Sequence, residues 1–90
     1  MSALDDALLQ EVSLRSRLNA LVHERAEALA EAERLRGRAS RPDADASLAD
    51  TAGRWEAVAE RVSGEIEEHR SQLRDQEAEV ARLRADAAGA

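Results

Sequence analysis

The feature that most constrains this chain is a seven-residue apolar repeat in its second half. Alternating steps of four and three residues from Leu48 reach an apolar side chain at ten of twelve positions. An average spacing of 3.5 residues is the pattern of a coiled coil, in which one stripe of a helix faces a partner helix. The positions are Leu48, Ala52, Trp55, Ala59, Val62, Ile66, His69, Leu73, Gln76, Val80, Leu83 and Ala87.

The first half carries a similar seam, apolar at eight of its ten positions: Leu4, Ala7, Glu11, Leu14, Leu18, Leu21, Arg25, Ala28, Ala32 and Leu35. A short segment containing Pro42, the single proline, separates the two seams. Two helices joined by a short connection form an antiparallel pair. We therefore expect one all-α domain over residues 1–90, an antiparallel two-helix coiled-coil hairpin with helices at about 3–36 and 47–88 and a loop at about 37–46.

Residue types at the segment ends predict where the helices begin and stop. Ser2 with Asp5, and Ser47 with Asp50, have the spacing of a capping box, in which a hydroxyl and a carboxylate bond backbone N–H groups at a helix start. An earlier start of the second helix at Pro42 is the alternative. Gly37 follows two arginines and is expected to end the first helix.

Composition excludes several functions. The 90-residue chain has no cysteine, so it offers no thiolate metal site and no cysteine nucleophile. All 13 basic residues are arginine, which removes lysine chemistry, and a single aromatic residue does not make a base-stacking surface. Neither a Ser–His–Asp arrangement nor a phosphate-binding loop occurs. We predict a protein that is not an enzyme and that uses no metal, cofactor or small-molecule substrate.

One further comparison addresses an enzymatic role. The segment from Leu18 to Ala26 resembles the first helix of the small all-helical chorismate mutases. That family uses a lysine beside arginines around its substrate and has a short middle helix, and this chain has neither. The comparison therefore does not support an enzyme.

Two registers of the hairpin are compatible with the seams. If the numbers of facing residues sum to 87, Leu21 faces Ile66, Leu14 faces Leu73 and Leu4 faces Leu83, and the polar Glu11 faces Gln76. If they sum to 80, Arg25 faces Trp55 as a cation–π pair and Glu11 faces His69 as a salt bridge. The sum of 87 is preferred because it buries Leu83 and fits a helix start at Ser47.

The hairpin core is expected to contain Trp55, Ile66, Leu73 and Leu83. Trp55 stands among alanines, so we expect its indole ring to fill a gap beside Ala28 and Ala32. His69 lies on the seam, and we interpret it as a near-core residue, because a tetrahedral metal site needs three or four ligands.

A second row of residues on the first helix, here called the outer stripe, is partly apolar. Its members are Leu8, Val12, Arg15, Asn19, Val22, Ala26 and Leu29, with Leu9 nearby. An apolar surface wider than one partner needs favours a further helix packed on it. We predict a partner interface through Leu8, Val12, Val22 and Leu29, with Arg15 pairing an acidic residue of the partner. The partner is a second copy, completing a four-helix bundle, or helices of another protein.

The end of the hairpin near the loop is rich in arginine. Arg34, Arg36, Arg38 and Arg41 precede Asp43 and Asp45. We interpret this as helix-end arginines pairing with loop aspartates rather than as a nucleic-acid site, because the net charge of -6 repels polyanions. The composition shows neither a signal peptide nor a membrane span, so we expect a cytoplasmic protein.

The residues Gly53-Arg54-Trp55-Glu56-Ala57, midway along the chain, resemble the Trp-x-Gly helical hairpins of type VII secretion and their secretion-associated relatives. The resemblance extends loosely over residues 47–86. It implies a bacterial protein exported without a cleaved signal, with the tryptophan at or near the turn between the helices. This chain departs from the pattern, because Ala57 replaces the glycine and Leu83-Arg84-Ala85-Asp86 lacks the tyrosine of the C-terminal motif.

Overall fold

The protein folds into two long helices that pack side by side. A computed structural model describes residues 2–89 and contains α1, Ala3–Ala39, and α2, Ser47–Gly89. The pair forms a rod measuring 72 × 16 × 14 Å. The predicted all-α hairpin is confirmed, with α1 and α2 ending three residues and one residue later than expected.

Burial along each helix repeats every seven residues. On α1 the buried residues include Ala7, Leu21, Ala28 and Leu35, and on α2 they include Ala52, Ala59, Ile66, Leu73 and Val80. We call these two sets the buried rows. Leu21 and Ile66 have no solvent exposure, and with Val62 they form the centre of the core, against which Leu18 and Val58 pack. The coiled-coil spacing of the sequence is thus the spacing of the actual helix contact.

Polar contacts between the helices agree with the register of 87. The Gln76 side-chain amide donates a hydrogen bond of 2.9 Å to the Ala7 carbonyl oxygen, a pair whose numbers sum to 83. The ion pairs Arg15–Glu77 and Arg36–Glu56 each sum to 92. The hydrogen bond lies about midway between the two registers, so the two ion pairs are the contacts that favour 87. In a register of 80, Arg36 would lie twelve residues, about 18 Å along the axis, from Glu56.

The start of α1 is as predicted, and its end is not. Ser2 and Asp5 form the expected capping box, with the Asp5 N–H donating to the Ser2 hydroxyl oxygen at 3.1 Å. Gly37 does not end the helix, because its backbone does not adopt the left-handed conformation of a glycine stop. The helix continues to Ala39, and the Ser40 hydroxyl then donates to the Gly37 carbonyl oxygen at 2.7 Å. Pro42 explains the end, because proline disfavours helical geometry in the residue before it.

The start of α2 also differs in its cap. Asp45, rather than Ser47, supplies the capping oxygen: its Oδ1 accepts a hydrogen bond of 2.8 Å from the Ser47 N–H. These bonds from the Ser47 backbone and hydroxyl hold the pKa of Asp45 below its ordinary value. The predicted capping role of Ser47 is therefore wrong, because Asp45 comes two residues earlier and engages both groups of Ser47.

Trp55 does not lie in the hairpin core. Ile66 and Leu73 are buried as predicted and Leu83 is partly buried, but Trp55 is 39% exposed. The surrounding layers contain the buried alanines Ala28, Ala32, Ala52 and Ala59. Small residues let two helices approach closely, which leaves no room for an indole ring between them.

Candidate interaction surface

The outer stripe of α1 lies exposed along the side of the hairpin. Val12 is 65% exposed, Leu29 50% and Val22 38%, and Leu8 is partly buried. The stripe borders the half-buried positions Leu4 and Leu18, so the apolar surface continues outward from the seam. Near the start of α1 it forms a shallow depression lined by Asp5, Leu8, Leu9 and Val12.

The second helix does not cover this surface. The ion pairs Arg15–Glu77 and Arg36–Glu56 show which α2 residues approach the stripe, and the same spacing brings Ser63 and Arg70 near Leu29 and Val22. The Ser63 hydroxyl donates to the Ala59 carbonyl oxygen at 2.9 Å. Arg70 forms an ion pair with Glu67 at 2.9 Å. The polar ends of both side chains are thus bonded within α2, and neither residue is apolar.

Arg15 is bound within the hairpin. Its guanidinium donates a hydrogen bond of 2.9 Å to Glu11 and lies 3.6 Å from a carboxylate oxygen of Glu77. The hydrogen bond to Glu11, together with the charge of Glu77, raises the pKa of Arg15 above its ordinary value. The chain itself thus supplies two carboxylates to Arg15, and the pairing of Arg15 with an acidic residue of a partner stays a prediction.

The arginines near the loop also have partners other than those predicted. Arg34 bonds Glu31 one turn earlier, and Arg36 bonds Glu56 of α2. Neither pairs with a loop aspartate, because helix geometry places glutamates three residues away or directly across the seam. Arg38 and Arg41 line a shallow polar depression with Asp43 and Asp45.

The two histidines form local contacts along their own helices. The His69 Nδ1–H donates to the Glu65 carbonyl oxygen at 2.8 Å, and His69 is partly buried as expected. His23 is exposed and lies 3.1 Å from a carboxylate oxygen of Glu27. Among residues 2–89, no three histidine, cysteine, aspartate or glutamate side chains gather in a metal-binding arrangement.

Three features of the surface lie beyond the sequence predictions. The Arg36–Glu56 pair and the Gln76–Ala7 bond depend on the register between the helices, so spacing along one helix does not reveal them. Asp45 carries a recognisable signal, because an aspartate two residues before a helical segment is a common capping residue.

These observations define the class of protein: a two-helix antiparallel hairpin whose first helix presents a second, partly apolar surface. Comparison of the chain with protein-family models, with curated proteins and with solved structures finds no match. In the part of the chain that the structure describes, neither helix is apolar over enough of its length to cross a membrane.

Proposed function

We propose that this protein is not an enzyme and acts by coiled-coil association, as an assembly, adaptor or small structural subunit that binds a helix along the outer stripe. The observation that carries the proposal is the exposure of Val12, Val22 and Leu29 on the side of α1 that α2 leaves uncovered. Exposed apolar side chains aligned along a helix are the contact surface of helix-in-groove and bundle assemblies.

The hairpin core supports the same proposal. The residues buried between the helices are all apolar, so the interior is suited to packing rather than to holding a polar ligand. Several polar side chains of the long helix faces form ion pairs one turn apart, for example Arg82 with Glu79 and Asp86. This pattern is that of a solvated helix surface.

Substitution of Val12→Glu and Val22→Glu tests the proposal. Together they place two charges in the contact, so we expect the dissociation constant of the complex to rise by about a hundredfold or more while helicity is retained. Light scattering and circular dichroism measure the two properties. The matched control is Ser13→Glu with Ala20→Glu, which adds the same charge at exposed positions on another side of α1. Association of the Val12/Val22 variant at unchanged strength would show that the stripe is not the interface.

A second candidate function is export as a type VII secretion substrate. The observation that favours it is the exposed Trp55, whose ring is available to a recognition factor. However, Trp55 lies eight residues after the start of α2, not at the turn. This candidate predicts that the chain is found outside the cell and that Trp55→Ala, or removal of residues 83–90, keeps it in the cytoplasm. A neighbouring gene for a second helical hairpin would also support it.

A further inference from the structure

The geometry points to a second copy of this chain as the occupant of the outer stripe, with the two α1 helices antiparallel and their two-fold axis passing between Arg15 and Asn19 of the stripe. This inference rests on the proposed association function and names its partner. It is carried by the order of apolar and charged residues along α1, which matches itself when the helix is reversed.

The apolar positions of the stripe pair with one another in this arrangement. When the numbers of facing residues sum to 34, Val12 faces Val22 of the second copy and Leu8 faces Ala26 of the second copy. Leu29 faces Asp5 of the second copy, with Leu4 and Leu8 of the second copy on either side of that residue. A shift by one heptad, to a sum of 41, pairs Val12 with Leu29 but places Leu8 against Glu33, Val22 against Asn19 and Ala26 against Arg15. Three apolar residues then face polar ones, compared with Leu29 alone in the register of 34.

Charge complementarity along the inner border of the stripe favours the same register. The border contains Glu11, Leu18 and Arg25, each half-buried. In the reversed helix, Glu11 meets Arg25 of the second copy, Arg25 meets Glu11 of the second copy, and Leu18 meets its own counterpart. The two-fold axis thus produces the Glu11–Arg25 ion pair twice.

In the single hairpin, the side chains of Glu11 and Arg25 can each form this ion pair with a second copy. Within residues 2–89, no carboxylate oxygen lies within 4.0 Å of the Arg25 guanidinium. The side chain of Glu11 is 18% exposed, and Arg15 bonds its Oε1 atom. Oε2 is the oxygen that Arg25 of the second copy would bind. A carboxylate at the edge of an apolar surface, held between two arginines, fixes the register of a helix pair.

Leu9 belongs neither to the seam nor to the stripe. It lies on the side of the stripe opposite Glu11, Leu18 and Arg25. Leu9 is 58% exposed in the hairpin. In the antiparallel pair it lies near His23 and Ala30 of the second copy, where the methyl group of the alanine and the imidazole ring cover it.

Two charge-reversed variants test the inference. Glu11→Arg alone places two arginines opposite each other at both ends of the dimer, and Arg25→Glu alone places two glutamates there. We expect the dissociation constant of each homodimer to rise about tenfold or more. When the two variants are mixed, every contact is again Arg opposite Glu, so we expect a heterodimer at near wild-type affinity. The double variant, with both substitutions on one chain, is expected to recover the homodimer.

The measurements are sedimentation for mass and affinity, native mass spectrometry for the composition of the mixture, and circular dichroism to confirm that each variant is helical. The control is Arg17→Glu mixed with Glu24→Arg, the same charge changes at exposed positions on another face of α1, for which no preference for the heterodimer is expected.

If the mixture of Glu11→Arg and Arg25→Glu chains shows no preference for the heterodimer, this dimer geometry is overturned. If Val12→Glu with Val22→Glu still abolishes association, the proposed function stands and the dimer geometry alone fails. A wild-type chain that remains monomeric at about 100 μM would overturn the second copy as occupant, and binding to a different helical protein would then test the stripe. Dimerisation insensitive to all four substitutions would overturn both proposals.

Discussion

At the scale of single residues, size and position make different contributions to the core. Ile66 occupies a buried row and has no exposure, whereas Trp55 occupies a seam position outside that row and is 39% exposed. A side chain stabilises the fold through the area that folding removes from water, so the larger residue need not be the more important one.

We therefore expect Ile66→Ala to destabilise the hairpin more than Trp55→Ala does. Truncation of a buried isoleucine lowers the free energy of unfolding by about 2–5 kcal/mol, because it removes apolar contacts and leaves a cavity. For Trp55→Ala we expect about 1–2 kcal/mol, below the cost of truncating a buried aromatic residue. Urea unfolding followed by circular dichroism measures both. A greater loss for Trp55→Ala would mean that the indole ring packs between the helices, as the sequence pattern implied.

The sequence predicts which residues face the partner helix but not how each fits there. Ile66 and Leu73 were identified from the heptad spacing alone, and both are buried. Trp55 satisfies the same spacing, yet the small residues beside it bring the helices too close together. That distance depends on all four facing side chains of a layer and is not encoded in the repeat of one helix.

At the scale of the helices, α2 is long and its interior includes Gly64. A Cβ atom placed on Gly64 meets nothing within 4 Å, and its backbone conformation suits any L residue. Glycine in a helix interior is disfavoured because the unfolded chain loses more conformational freedom on folding.

Gly64→Ala is therefore expected to raise the free energy of unfolding by roughly 0.5–1 kcal/mol. Thermal unfolding at a concentration where the chain is monomeric measures the effect on the hairpin itself. Gly37→Ala is the matched control: it also meets no atom within 4 Å, but it lies in the last turn of α1, where fraying reduces the gain. A loss of stability in the Gly64→Ala variant would contradict open space at this position.

The ends of the helices show the limit of local sequence signals. The capping box of Ser2 and Asp5 was predictable because two reciprocal bonds depend only on residues three apart. Gly37 and Ser47 gave misleading signals, because a stronger determinant lies a few residues away in each case. Pro42 restricts the residue before it, and the Asp45 carboxylate accepts a hydrogen bond from the N–H group of Ser47, the first residue of α2.

The cap of α2 leads to a prediction on pH. Hydrogen bonds from Ser47 lower the pKa of Asp45 in the folded protein. A depressed carboxyl pKa contributes stability above the unfolded value of about 3.9, and this contribution is lost as pH falls through the lower folded value. We expect Asp45→Asn, which retains an acceptor oxygen but no titrating group, to show a smaller fall in Tm between about pH 5 and pH 2.

Asp43→Asn is the control, because it removes a carboxylate from the same loop that does not bond the start of α2. Tm measured at intervals through the acid range compares the two variants with the unmodified chain. An acid-induced fall in Tm for Asp45→Asn as steep as in the parent would show that this cap does not contribute to the pH dependence.

At the scale of the whole molecule, the two helices make unequal contributions. α2 uses a single seam, with charged and polar side chains on its other faces, whereas α1 has a seam and the outer stripe beside it. A two-helix rod only 14–16 Å thick cannot cover both. The composition accounts for this arrangement, because alanine supplies many of the seam residues and buries little area, so association adds the apolar contact that a small hairpin lacks.

The register and the intramolecular pairing of the helices are tested together by engineered cysteines. Ala7 and Val80 are buried residues whose numbers sum to 87. Because the chain has no cysteine of its own, Ala7→Cys with Val80→Cys introduces the only two thiols. We expect a disulfide to form within one chain and to raise the free energy of unfolding by up to about 4 kcal/mol, since it closes a long loop.

Ala7→Cys with Leu73→Cys is the matched control for the register of 80. It places the thiols seven residues, about 10 Å, apart along the rod, beyond the reach of a disulfide. Non-reducing electrophoresis and Tm separate the outcomes. A cross-linked monomer from the 7/80 pair alone is the expected result. Efficient cross-linking of the 7/73 pair would contradict the register of 87. A 7/80 disulfide found only between two chains would mean that the hairpin opens and exchanges α2 with a second chain, as short connecting loops allow.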